Sequence, residues 1–386
     1  MFKVQLLNKI SPSGVAKFSD SSFSYECADE IENPDAIIVR SASMHGMELS
    51  ASVRAIARAG AGVNNIPIED CTKQGVAVFN TPGANANAVK ELTLAALLIS
   101  ARKVYPSMQW VQTLKGQGAE IPALAEKGKS KFTGPELKGK KLGVIGLGAI
   151  GVLVCNAAVH FGMEVYGYDP YISVDAAWNL SRSIKHATSL QEIYESCDFI
   201  TLHVPSTKET KNMINESSIN CMKNGVRILN FSRADLVDTH DIIEAVSEKK
   251  VYCYVTDFAL DELLGHNGIL VMPHLGASTP ESEVVCAEMA AEELIDYLEN
   301  GNIRNSVNFP AVSVPRTGGK RVAVVHENRP TMITRITALI GENISGLTNN
   351  SRGDIAYTLI DLDGDVGSDI VDKLSGTEGV IRVTLL

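Results

Sequence analysis

Short apolar runs separated by amphipathic stretches recur along most of this chain. The opening MFKVQLLNKI reads as a strand rather than a cleavable leader. AIIVRS (36–41) is a strand running into a loop, and SASVRAIARAGAG (50–62) starts as a helix that stops at its glycines. VAVFNTPGANANAVKELTLAALLISARKV (76–104) runs strand, loop and long helix, with Asn87 as the N-cap. Residues 106–141 are rich in Lys and Gly and weakly periodic, which predicts a connection or surface arm. A second alternating block opens at KKLGVIGLGAIG and carries the strands EVYGYD, FITLHV, VRILNFS and CYVTDF, followed by a helix over 280–299. Repeated strand–helix alternation predicts an α/β chain with two doubly wound, Rossmann-like parallel sheets.

The tail reads differently. NFPAVSVPRTGGKR (308–321) carries two prolines and two glycines and predicts a linker. Beyond it the pattern predicts strand (321–326), helix (330–341), strand (343–348), strand (355–361), helix (367–374) and strand (380–385). That order is the split βαβ of a small ferredoxin-like α+β domain. The expected domains are therefore 1–95 with 283–308, then 96–282, a linker at 309–320, and 321–386.

Composition removes several function classes. At 386 residues the chain exceeds what one core usually holds, so two or three domains are expected. A net charge of −10 argues against nucleic-acid binding, which needs a basic face, but leaves room for a locally basic pocket. Seven scattered cysteines with no CxxC pair point to a reducing compartment, the cytoplasm, with neither a zinc site nor a disulfide framework. No apolar run approaches the ~20 residues of a membrane span.

The most specific local signal is GVIGLGAIG (143–151), with Gly146, Gly148 and Gly151 in GxGxxG spacing. It follows an apolar strand and opens a helix, and the next strand ends in Asp169, 23 residues beyond Gly146. Gly146 permits the tight turn, Gly148 lets backbone approach a pyrophosphate, and Gly151 lets helix and strand pack closely. The helix N-terminus offers free N–H groups to phosphates. A carboxylate at Asp169 accepts both ribose hydroxyls and repels a 2′-phosphate, which favours NAD over NADP.

Reacting groups follow from strand ends. Arg233 comes just after the strand in LNFSRADLVD, where its guanidinium could fork onto a carboxylate or pair with Asp235. His203, Pro205 and Thr207 end another strand; His203 reads as a turn residue beside the cofactor, with catalytic base as the other reading. His160 and His186 read as structural. His274, between Pro273 and LGAS, is a loop histidine suited to take an alcohol proton while NAD takes the hydride. Asp257, Asp261 and Glu262 are all candidates to orient it.

Taken in order, RSA, RAGAGVNNI, VFNTPGANANAVKE, GVIGLGAIG, LNFSRADLVD and PHLGAST resemble the D-isomer-specific 2-hydroxyacid dehydrogenases over essentially the whole chain. The resemblance implies an NAD-dependent oxidoreductase with a catalytic trio at Arg233, Glu262 and His274. Glu262 stands 29 residues after Arg233, where the family's orienting glutamate stands. Asp257 then faces the nicotinamide end of the cofactor, and Ala149, Ile150, Phe231, Ser232, Gly276 and Ala277 also line it. For the substrate the resemblance implies the backbone N–H groups of Ala61 and Gly62 on a carboxylate, and Asn85 in contact. Arg40 and Ser41 would hold a phosphate, with Arg58 assisting, so a phosphorylated 2-hydroxy acid is expected. Lys129 and Lys131 lie where relatives reach into a neighbouring subunit, and a homodimer or homotetramer is implied. The sequence departs from the family pattern at Leu263, where a proline is usual, at Ala234, where a glycine is usual, and in a short loop before His274.

The C-terminal block resembles an ACT domain, a small-ligand regulatory module. VVHENRPTMITRI matches its effector turn, which implies an amino-acid effector at Asn328 and Asn343; Thr331 stands where that turn has glycine. Two other readings share these motifs: a dehydrogenase for an unphosphorylated 2-hydroxy acid, and an NAD-responsive regulatory protein on the same fold.

Overall fold

A computed structural model of the chain describes residues 1–316, 319–364, 367 and 369–386. Thr317 and Gly318 of the expected linker, and Ser368 of the expected last helix, lie outside the described residues. The chain divides into two compact units, residues 1–85 with 279–386, and residues 86–278. The boundaries expected at 95/96 and 282/283 cut through two helices, Ala86–Ala101 and Pro280–Asn300, whereas the units divide ahead of each.

The first unit is built on a five-stranded parallel sheet in the order Tyr25–Ala28, Phe2–Leu7, Ala36–Val39, Ala55–Arg58, Ala77–Asn80. The helix expected over 50–62 is instead the strand Ala55–Arg58. Alanine and arginine favour a helix locally, but Ala55, Ile56 and Ala57 are all completely buried. A central parallel strand is covered on both faces and needs a continuous apolar run, and that tertiary demand overrides propensity.

Helix Pro280–Asn300 packs on this sheet through Ala287, Ala290, Ala291, Leu294 and Leu298. Thr279 caps it, accepting from the Ser282 N–H at 3.1 Å, with Pro280 in its first turn.

The C-terminal strands pair antiparallel in the order Ile344–Arg352, Ile355–Leu362, Lys320–Glu327, Val380–Leu385, with helices Met332–Ala338 and Asp369–Ser375 between them. This is the ferredoxin-like order. The block is anchored within the first unit by buried charge. Arg321, wholly buried, forks onto Asp361 at 2.6 and 2.9 Å and donates to the carbonyls of Asn300, Val314 and Pro315. Arg382 donates to the carbonyls of Val53 and Ala51, and the Tyr357 hydroxyl to Gly301.

A buried acid in the first unit gives a pH-dependent expectation. Glu293 is 8% exposed; one carboxyl oxygen accepts from Asn305 at 2.6 Å and the other has no partner. Burial pushes its carboxyl up from the ordinary 4.5 to about 8. The native state therefore keeps a proton that the unfolded chain releases, and stability falls as pH rises from about 4.5 to about 8. Glu293→Gln removes that loss. Urea titrations at pH 8 should show the variant about 2–4 kcal/mol more stable than the parent, with the gain shrinking towards pH 5.

The second unit carries a seven-stranded parallel sheet in the order Ile269–Val271, Val251–Thr256, Val226–Asn230, Phe199–Leu202, Lys141–Ile145, Glu164–Tyr168, Lys185–His186. Strand order reverses between Lys141–Ile145 and Phe199–Leu202, the switch point at which such sheets open a ligand crevice. Helix Ala86–Ala101 begins one residue before Asn87, so Asn87 is not its cap; its amide donates instead to Glu91 at 2.9 Å. Residues 106–141, expected as a connection or surface arm, contain the helices Val104–Gln112 and Ile121–Gly128 and a short turn at Lys129–Phe132. The periodicity is weak because Val104–Gln112 buries none of its residues. Trp110 supplies local packing, close enough to Gly128 that a Cβ there would meet the indole at 2.2 Å. Among the described residues no helix is long and apolar enough to cross a membrane, and no cluster of three or more His, Cys, Asp or Glu could hold a metal.

Candidate active site

Apart from Lys129 and Lys131, the candidates in the second unit follow the carboxyl ends of strands of the seven-stranded sheet. Gly146 follows Lys141–Ile145 with φ +95°, and a Cβ there would lie 2.4 Å from the His203 carbonyl oxygen. At Gly151 a Cβ would meet the Gly146 carbonyl oxygen at 1.9 Å. These two glycines are required by the chain's own packing. Gly148 is not, because a Cβ there would find no protein atom within 4 Å. It stands at the N-terminus of helix Ala149–His160, whose first turn has no side-chain cap. Free N–H groups at an open glycine fit a phosphate approaching the backbone. Ala149 is exposed and Ile150 half-buried beside it.

Asp169 follows the neighbouring strand and accepts from the N–H groups of Leu147 and Tyr171, both at 2.8 Å. Its carboxylate is thereby fixed to the glycine turn, with lone pairs left over for hydroxyl donors. His203 accepts or donates at Nε2 to Thr201 at 3.0 Å, while its Nδ1 is buried without a partner. Burial pushes the imidazole down to about 4, so it is neutral at physiological pH and poorly suited to carrying a proton in turnover. Pro205 and Thr207 are exposed on the loop beyond, where the Thr207 hydroxyl accepts from the N–H groups of Glu209 and Thr210.

Arg233 is exposed at the end of strand Val226–Asn230, after buried Phe231 and half-buried Ser232. Its guanidinium donates to the Ser232 carbonyl at 2.6 Å and makes no ion pair among the described residues. Asp235, the alternative partner considered from sequence, accepts from the Ser206 hydroxyl at 2.5 Å instead. The residue that sequence reasoning missed here is Asn230. Wholly buried, it donates to the Arg233 carbonyl at 2.9 Å and accepts from the Ser232 N–H at 3.2 Å, clamping both sides of the turn. Its sequence signal is a polar residue closing the strand Val226–Asn230.

His274 is 64% exposed at its side chain, with Nδ1 3.8 Å from Asp257 Oδ2 and its ring 5.3 Å from that of Phe258. Asp257 ends strand Val251–Thr256; its side chain is 1% exposed and neither oxygen has a hydrogen-bond partner. Burial raises its carboxyl, and the neighbouring His274 opposes that rise. Gly276 is buried beside it, where a Cβ would lie 3.6 Å from Oδ2, and Ala277 follows half-buried. The expected pairing of Glu262 with His274 is not what this structure contains. Glu262 lies in the turn Asp261–Leu263, exposed, with no hydrogen bond or ion pair among the described residues. Leu263 is the cause: it is 3% exposed and packs with Ile269 in the core, which turns its neighbours Asp261 and Glu262 outward. The open glycine turn, the uncapped helix and Asp169 suit a dinucleotide such as NAD.

The first unit arranges its candidates by the same rule. Arg40 and Ser41 follow strand Ala36–Val39, and Asn8, after strand Phe2–Leu7, accepts from the N–H groups of Ser41 and Ala42 at 3.3 and 2.5 Å. Arg58 ends the next strand and donates from Nε to the Arg40 carbonyl at 3.1 Å. Ala61 and Gly62 follow, and their N–H groups donate to no acceptor among the described residues, an arrangement suited to a carboxylate. Asn85 is half-buried in the loop after strand Ala77–Asn80. Elsewhere, Lys129 pairs with Glu126 and Lys131 lies over Trp110, 5.9 Å from the ring centre. In the C-terminal block, Asn328 donates to the Gly353 carbonyl at 3.0 Å and Asn343 to Asp363 at 2.6 Å, so both amides are engaged internally. Thr331 holds φ +69°, a left-handed conformation that explains why glycine is usual there.

Residues 94–276 match the model of the D-isomer specific 2-hydroxyacid dehydrogenase NAD binding domain. The chain is 31% identical over 329 residues to D-3-phosphoglycerate dehydrogenase of Bacillus subtilis, covering 81% of this chain and 60% of that one. It is 31% identical over 344 residues to the Escherichia coli D-3-phosphoglycerate dehydrogenase, covering 84% and 79%. Against three of its curated relatives the chain spans only 55–60% of their length. Among solved structures it resembles the NAD+-bound 3-phosphoglycerate dehydrogenase of Entamoeba histolytica, with TM-score 0.60 and 26% identity over 80% of this chain and 98% of that one.

Proposed function

The chain belongs to the D-isomer specific 2-hydroxyacid dehydrogenase family, and from that membership we propose that it oxidises 3-phospho-D-glycerate to 3-phosphohydroxypyruvate with NAD, the entry step of phosphorylated serine biosynthesis. The observation that carries the substrate is that relatives matched over more than four fifths of the chain are D-3-phosphoglycerate dehydrogenases. Two arginines in the first unit, Arg40 and Arg58, supply the matching charge for a phosphate.

In this reading Gly146, Gly148, Gly151 and the helix N–H groups beyond them hold the pyrophosphate, Asp169 holds the ribose hydroxyls, and Asp257 stands at the nicotinamide end. NAD, when bound, supplies the acceptor for the hydrogen leaving C2. His274 takes the hydroxyl proton on Nε2, since Nδ1 faces Asp257. Arg233, its backbone carbonyl held by Asn230 and its guanidinium without an ion pair among the described residues, grips the substrate carboxylate and stabilises the developing carbonyl oxygen. Within the first unit, the N–H groups of Ala61 and Gly62, with Asn85, are assigned to an anionic group, and Arg40 and Ser41 to the phosphate.

The test is NADH oxidation with 3-phosphohydroxypyruvate against hydroxypyruvate. A strong preference for the phosphorylated substrate is expected, and Arg40→Ala should raise KM for it by about tenfold to a hundredfold, the range of a lost charged hydrogen bond, while barely affecting hydroxypyruvate. Equal effects on both substrates would sink the phosphate assignment.

A further inference from the structure

Arg40 already holds an anion. Its Nη2 lies 2.5 Å from Oε1 of Glu283, in the first turn of helix Pro280–Asn300. Both side chains remain accessible, 37% and 42% exposed, so a competitor can reach the pair. Glu283 is not needed to shape the loop. The Arg40 carbonyl is held by Arg58 Nε at 3.1 Å and Asn65 Nδ2 at 3.4 Å, and the next two N–H groups are held by Asn8. Nor is it needed to start the helix, which Thr279 caps. Arg58 is folded over Gly60, where a Cβ would lie 1.7 Å from its Nη1, and both burial and the nearby Arg40 charge lower its guanidinium. Two cations and one carboxylate therefore share this corner, and the carboxylate sits on the more exposed cation.

We propose that Glu283 is an internal stand-in for the substrate phosphate, one that the phosphate must displace from Arg40 and that thereby sets the enzyme's affinity for phosphorylated substrates. The proposal rests on the phosphate reading of Arg40 given above. A phosphate monoester carries close to two charges and three acceptor oxygens. It out-competes a single carboxylate for a guanidinium fork and repels Glu283 towards solvent. That displacement opposes binding of the phosphate. An uncharged hydroxymethyl group at the same end of the substrate neither displaces Glu283 nor suffers from it, so its binding is indifferent to residue 283. Weak anions are kept off the arginine by the same carboxylate.

The measurements are KM for 3-phosphohydroxypyruvate and for hydroxypyruvate, and the inhibition constant of inorganic phosphate, in the full-length parent, Glu283→Gln, Glu283→Asp and Arg40→Ala, with melting curves to verify folding. Glu283→Gln should lower both the phosphorylated-substrate KM and the phosphate inhibition constant by about threefold to fivefold, the upper range of an accessible ion pair. Its hydroxypyruvate KM should stay within about twofold, and Glu283→Asp, which keeps the charge, should stay near the parent. If Glu283→Gln leaves the phosphorylated-substrate KM unchanged or raises it while Arg40→Ala also raises it, Glu283 orients Arg40 or does nothing, and the displacement proposal falls alone. If Arg40→Ala changes nothing, the phosphate reading falls and the proposal with it.

Discussion

Replacing His274 with asparagine is expected to lower kcat about 10²- to 10⁴-fold, the contribution of a positioned general acid–base, with little change in NADH affinity. The side chain is 64% exposed, so truncating it removes no core contact and the melting temperature should hold. Stopped-flow NADH binding and steady-state turnover separate the two effects. A kcat within about tenfold of the parent would mean that another group takes the proton. His203 follows strand Phe199–Leu202 of the same unit, and its imidazole, pushed down to about 4, is a poor substitute.

The second large effect concerns which carboxylate serves His274. Asp257→Asn should cost about tenfold to a hundredfold in kcat/KM, typical of losing the group that orients a reacting imidazole, whereas Glu262→Gln should cost about threefold or less. The assignment follows from position: Asp257 is buried 3.8 Å from Nδ1, and Glu262 is exposed with no partner. Burial raises the Asp257 carboxyl, and the neighbouring His274 opposes that rise. The family resemblance assigns the orienting role to Glu262 and would give the opposite ranking, so the pair of variants decides between them.

Much of the second unit was legible because its information is local. Gly146, Gly148, Gly151 and Asp169 lie within 24 residues, and each is dictated by a strand, a turn or a helix start that the same residues form. The strand ends carrying Arg233 and Asp257 were legible for a similar reason, since a parallel strand buried on both faces must be a continuous apolar run and its end is visible. The helix expected over 50–62 failed where the rule turns ambiguous: a short run of alanine and isoleucine suits a buried strand as well as a helix, and only the neighbouring strands choose. The helix Val104–Gln112 left no periodic trace because it buries none of its residues.

What the sequence determined by itself is therefore the α/β class, the glycine turn of the NAD-binding domain and the strand ends that carry Arg233 and Asp257. The tertiary structure decided how those groups are partnered. Arg40 meets Glu283 across 243 residues, Asp257 rather than Glu262 lies against His274, and Leu263 turns inward and sends Glu262 out. Such pairings depend on which side chains the packed core leaves facing one another, and spacing along the chain carries no measure of that distance.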